Sequence, residues 1–268
     1  MKRALLVICL TLFVGSAAAQ DWAKQSVAQS PRHHEWVNVK SGNRRVNSFV
    51  VYPEVKNKAT AVVVIHEIFG MTDWVQMEAD EFAAAGYIAI APDLLSGMGP
   101  LTDANAIRKA IRDLPPNQIT ADLNAAADYV SKLPAANGKV AVAGFCWGGG
   151  ESFRFATNRP SLAAAFVFYG VGPESVATIR SPVYGFYAGD DARVDATVPK
   201  TQEQMKAAGK TYDIVTYPGA GHGFMRAGDA PAPAADADAA TRDRYAANKK
   251  ARGASWERLK GILRLMDH

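Results

Sequence analysis

The sequence predicts an α/β protein in a single domain, a doubly wound and mostly parallel sheet with helices on both faces. Three observations carry this. Continuous apolar runs rich in β-branched residues, such as Ala61-Val62-Val63-Val64-Ile65, have the pattern of strands covered on both faces. These runs alternate with amphipathic stretches along the whole body of the chain, with neither an internal repeat nor a dividing linker, which argues for βαβ units. The third is local. An apolar run over 139–143 leads into Gly144-Phe145-Cys146-Trp147-Gly148-Gly149-Gly150, and a helix-forming stretch follows from Glu151.

The first residues stand apart from that body. Lys2 and Arg3 form a positive start, 4–14 is an apolar core, and Ala17-Ala18-Ala19 offers a small-residue cleavage site. Residues 1–19 are therefore expected to be a signal peptide cut between Ala19 and Gln20, and 20–268 the domain. The expected location is the periplasm or the exterior, with no membrane association after removal of the leader. The formal charge of +4 drops by two with Lys2 and Arg3, so no nucleic-acid footprint is indicated. Cys9 leaves with the leader as well, and Cys146 remains without a possible disulfide partner. An unpaired thiol is a liability in an oxidising compartment, so its position between glycines favours chemistry over packing.

Taken in order, 20–45 reads as a polar arm entering a first strand or hairpin. Its adjacent His33 and His34 would point to opposite sides of a strand, which suits solvent better than a metal. An edge strand over 46–52 is closed by Pro53. Strands follow at 61–65 and 86–91, with a helix over 74–85 between them. A glycine-rich loop at 96–100, a short helix at 107–111 and an amphipathic helix at 119–133 come next. Beyond the Cys146 turn, strands are expected at 162–169, 183–188 and 212–217, with a helix over 198–208 before the last of them. An Ala-, Asp- and Pro-rich surface loop at 228–240 precedes a final helix at 241–266, packed through Tyr245, Trp256, Leu259, Ile262 and Leu263.

The Cys146 turn has the geometry of a nucleophile elbow. Glycines two before and two after the nucleophile avoid collisions across the tight turn and leave the nucleophile exposed. A thiol reacts as its thiolate, so it needs a base and a group to orient that base. Of the histidines, His222 alone lies in a glycine-framed loop after a late strand, and Asp190 or Asp191 could orient it. The order Cys146, Asp191, His222 is that of nucleophile, acid and base in α/β-hydrolases, and each member follows a strand. The backbone N–H groups of Trp147 and Ile68 are placed to meet a developing oxyanion.

The set His66-Glu67-Ile68-Phe69-Gly70, Pro92-Asp93-Leu94, Gly144-Phe145-Cys146-Trp147-Gly148-Gly149, Gly189-Asp190-Asp191 and Gly221-His222-Gly223-Phe224 closely resembles the dienelactone hydrolase family over about 35–265. The resemblance implies a single-domain α/β-hydrolase fold, a Cys-His-Asp triad, and neither metal nor organic cofactor. It implies that Glu67 pairs with the nucleophilic cysteine and takes part in its activation, and that Phe69 and Arg226 bind substrate, Arg226 holding a carboxylate. A second family arginine has no counterpart in the loop at 96–100, and Arg108 and Arg112 align only loosely with it. The expected activity is hydrolysis of a small ester or lactone by a monomer through an acyl-thioester. The alternatives are a cysteine-based glyoxalase or redox sensor, and a binding protein that turns nothing over.

Overall fold

A computed structural model describes residues 20–99 and 101–266; the expected signal peptide lies outside the described residues. Eight strands form one sheet in the order β1-β2-β4-β3-β5-β6-β7-β8. They are β1 (His34–Ser41), β2 (Arg44–Val51), β3 (Ala59–Ile65), β4 (Ile88–Pro92), β5 (Ala136–Phe145), β6 (Ala165–Phe168), β7 (Val183–Ala188) and β8 (Tyr212–Tyr217). Pairing is parallel from β4 through β8 and antiparallel where β2 meets β1 and β4. This is the fold of the α/β-hydrolases.

The helices are α1 (Asp21–Ala28), α2 (Asp73–Ala84), α3 (Ala104–Arg112), α4 (Pro116–Ser131), α5 (Trp147–Asn158), α6 (Ala192–Asp195), α7 (Val198–Ala207), α8 (Phe224–Asp229) and α9 (Ala239–Met266). Every residue of β3 is buried, and its side chains feed two cores. Val62 and Val64 join α2, α8 and α9 on one face, through Trp74, Phe82, Phe224, Trp256 and Leu259. Ala61, Val63 and Ile65 join α4, α5 and α7 on the other, through Leu123, Val130, Phe153 and Met205. No helix among the described residues is long and apolar enough to cross a membrane.

Two expectations are corrected. The polar arm holds a helix, α1, because Ala23 and Val27 fall one turn apart and bury against the face made by α2. The strand expected at 46–52 does not lie at the edge. It pairs on both sides, and β1 covers it as the true edge strand. The short helices α6 and α8 are also additional to the predicted elements, since single turns of helix give no periodic signal.

Because the strands from β3 onward run in one direction, the loops after β3, β5, β6, β7 and β8 open on the same edge of the sheet. The expected triad, the two expected oxyanion donors, Glu67, Phe69 and Arg226 all sit in one of those loops or in the first turn of the helix that follows.

Candidate active site

Cys146 links β5 to α5 with φ 57° and ψ −117°, a conformation that costs a non-glycine residue about 1–3 kcal/mol. Close packing holds it there. A Cβ added at Gly144 would lie 1.9 Å from the Gly148 carbonyl oxygen, and one at Gly148 would lie 2.4 Å from that of His66. Both obstacles are backbone, so they cannot swing aside. Gly148→Ala is expected to cost about 3 kcal/mol in chemical denaturation, at the upper end for an added methylene, together with most of the activity.

The thiol meets its partners directly. Cys146 Sγ lies 3.0 Å from His222 Nε2, and His222 Nδ1 lies 2.5 Å from Asp191 Oδ2. The Asp191 carboxylate is 7% exposed, whereas the imidazole keeps 32% of its side-chain surface in solvent. Burial disfavours the charged ring, but the hydrogen bonds to Asp191 and Cys146 outweigh it and push His222 up to about 10. Burial likewise opposes ionisation of Asp191, and the His222 contact overrides it, holding the carboxyl below the ordinary range. Of the two aspartates, Asp191 takes the imidazole, and Asp190 turns outward to pair with Arg244 of α9, Oδ2 to Nη2, at 2.9 Å.

The two expected oxyanion donors lie on different elements. Trp147 opens α5, so its N–H is among those for which a helix supplies no acceptor of its own. Ile68 lies in the turn after β3 that Gly70 N–H closes on the Glu67 carbonyl at 3.1 Å. The Trp147 ring stacks on His66, centroids 5.5 Å apart, and His66 is fully buried with Nδ1 2.9 Å from the Glu67 carbonyl oxygen. Burial lowers the His66 pKa, which keeps the ring neutral beneath the elbow.

Glu67 departs from the pairing that the resemblance implies. Its partner in this structure is Arg226, whose Nε–H donates to Oε2 at 2.8 Å, while Cys146 is held by His222. A carboxylate 3% exposed needs such a cation, and Arg226 of α8 supplies it from 159 positions further along the chain. Arg226 also lies 5.3 Å from the Phe69 ring centroid, and Arg108 of α3 lies 5.2 Å from the same centroid. The structure thus brings Arg108 to the site, and leaves Arg112 exposed on α3.

One site residue was not anticipated. Tyr169, at the end of β6, has φ 41°, packs edge-on against the His222 imidazole at 5.1 Å and against Phe224 at 5.2 Å. Its buried hydroxyl has no hydrogen-bond partner among the described residues. A Tyr-Gly pair closing an apolar strand was the available signal. No group of three or more His, Cys, Asp or Glu among the described residues could hold a metal ion.

An elbow after a parallel strand, with an acid and a base from later strand ends at hydrogen-bond range, defines an α/β-hydrolase. Comparison with known proteins then gives the family. The family described as "Dienelactone hydrolase family" matches residues 46–266, and the chain belongs to it; members act on ester or lactone bonds. A relative from Yersinia pestis named "Putative carboxymethylenebutenolidase" is 35% identical over 180 residues, 61% of this chain and 67% of its own length. A protein of the same name from Methylorubrum extorquens is 32% identical over 181 residues, 61% of this chain and 62% of the relative. The matched stretch therefore spans about two thirds of those relatives. The crystal structure of a "Putative Dienelactone Hydrolase" from Klebsiella pneumoniae superposes with a TM-score of 0.73 at 25% identity, covering 87% of this chain and 98% of that one.

Proposed function

We propose that this chain is an exported hydrolase of a small ester or lactone, with Cys146 as nucleophile, His222 as its acid and base, and Asp191 as the group that orients His222. The observation that carries this reading is the unbroken path from Cys146 Sγ through both ring nitrogens of His222 to Asp191 Oδ2. The thiolate attacks the acyl carbon, and the carbonyl electrons move onto an oxygen facing the Ile68 and Trp147 N–H groups. Collapse breaks the bond to the leaving oxygen, which takes the proton from His222 Nε2. A water then gives a proton to the neutral imidazole and attacks the thioester, releasing the acid and the Cys146 thiolate. None of these steps calls for a metal or an organic cofactor.

The test is a panel of small esters and lactones, with denaturing mass spectrometry of the enzyme quenched during turnover. An acyl adduct on Cys146 is expected. Steady hydrolysis with no adduct, matched by a Cys146→Ala variant, would overturn the reading.

Arg108 and Arg226 around Phe69 favour a substrate that carries a carboxylate, since a guanidinium recognises that group through two parallel hydrogen bonds. Arg226 already shares its charge with Glu67, so Arg108 is the cleaner probe. Arg108→Met is expected to lower kcat/KM about tenfold for a carboxylate-bearing lactone, the worth of one charge-assisted hydrogen bond, and to leave its neutral analogue within about twofold. Matched kinetics on the two substrates check this.

Export rests on the leader pattern of residues 1–19 and is tested by N-terminal sequencing of the protein recovered from the periplasm or medium, with Gln20 expected first. A monomer is proposed for the exported form.

A further inference from the structure

The base loop and α8 are gripped from behind by one face of α9. Arg244, Asn248 and Arg252 are spaced four apart and so lie along one stripe of that helix. Asn248 Oδ1 accepts the Gly221 N–H at 2.8 Å, next to His222. Arg252 pairs with Asp229, the last residue of α8, whose other carboxylate oxygen accepts the Trp74 Nε1–H at 3.0 Å. Between these points α8 lies tight on α9, for a Cβ at Gly228 would stand 2.8 Å from the Asn248 carbonyl oxygen. At the top of the stripe Arg244 pairs with Asp190, and the Asp190 N–H donates to the Ala220 carbonyl at 2.9 Å, which ties the acid turn to the base loop.

The members of this stripe are not equal. The Arg244–Asp190 pair is nearly half exposed on both sides, where an ion pair contributes about 0–1 kcal/mol. Arg252 holds the far end of α8, seven residues from His222. Asn248 is 6% exposed and bonds to the peptide that precedes the imidazole. It also occupies a residue type that a helix interior does not favour, so its place is explained by the acceptor it presents rather than by helix formation.

We propose that Asn248 is a positioning residue for the proposed hydrolase centre: by accepting the Gly221 N–H it sets the height at which His222 reaches both Asp191 and Cys146. This rests on the assignment of His222 as acid and base. Without that acceptor the part-buried Gly221 N–H loses its partner, and the loop relaxes toward a shape in which the imidazole no longer spans its two neighbours. Aspartate at 248 offers the same oxygen, and Arg244 and Arg252 one turn away on either side suit its charge.

The experiment uses the full chain as wild type, Asn248→Ala, Asn248→Asp and Arg244→Ala. The primary reading is the downfield proton NMR resonance of His222 Nδ1–H, which reports the short contact with Asp191 and needs no turnover. Asn248→Ala is expected to lose the resonance and about 100-fold in kcat, the order of loss for a misplacement near 1 Å, with KM within about twofold. Asn248→Asp is expected to restore both, and Arg244→Ala to keep both. A purely structural part for Asn248 would lower the melting temperature and leave the resonance and kcat in place well below it. That result overturns the proposal, as does an Asn248→Asp variant that behaves like alanine. Retained turnover in a Cys146→Ala control would remove the hydrolase reading, and the resonance would still decide the role of Asn248.

Discussion

Replacement of Cys146 by alanine is expected to lower kcat by about 10⁴-fold or more on any ester or lactone that the wild type turns over, since members of a nucleophile–base–acid unit fail together when one is removed. The fold should survive the change. The site chain is held by backbone packing at Gly144 and Gly148, and alanine keeps the Cβ of the strained residue while removing only the sulfur. A denaturation midpoint equal to or above that of the wild type, with turnover lost, is the expected pair of results. Turnover within tenfold of wild type would locate the chemistry elsewhere. Serine at the same position is a sharper probe. Its hydroxyl forms an anion far less readily than a thiol, so the nucleophile is weakened while the shape is kept.

The second large effect is expected at Asp191. Asp191→Asn keeps the shape of the side chain but lets the wrong ring nitrogen of His222 carry the proton, and about 10⁴-fold in kcat should go with it. The pH profile changes in a defined direction. His222 is pushed up to about 10, so in the wild type kcat/KM should hold to about that pH and fall beyond it as the imidazolium loses the proton needed by the leaving group. With asparagine at 191 one of the groups that raises His222 is gone, and the alkaline limb should move down toward the ordinary value of about 6.5. Stability follows the same linkage. The raised His222 contributes fully below about 6.5 and less as pH climbs through about 10. The depressed Asp191 contributes above its ordinary range and loses that contribution in acid. Rate profiles across about pH 5–11, and unfolding profiles carried down to about pH 2, check these signs for both proteins.

Much of this site was legible in the chain itself because its members lie at strand ends, and strand ends are written locally. The strands at 183–188 and 212–217 have the expected bounds, and the loops after them deliver Asp191 and His222 to the place where Cys146 waits. Sheet order was less accessible. That β1 covers β2 depends on which strand finds a free edge, and no local pattern of polar and apolar residues encodes that. Pairings across long stretches of chain were least accessible. The choice of Arg226 by Glu67 is decided by how α8 docks behind the loop of His222, as is the grip of Asn248 on Gly221. Asn248 itself, a buried polar residue in a helix rich in charge, carries no mark in the sequence that sets it apart. Tyr169 could be placed at a strand end, but not its positive φ or its contact with the imidazole.

The one-way run of the parallel strands also divides the surface into two territories of very different tolerance. The proposed chemistry occupies the carboxyl ends, and the turns at the opposite ends lie away from it. Gly138, before the core of β5, and Gly209, before β8, both have positive φ and open space where a side chain would stand. The exposed start of β5 at Gly138 and the turn at Gly209 are natural points for attaching a tag, a tether or a second protein, with the proposed reactive edge left facing away from whatever is joined.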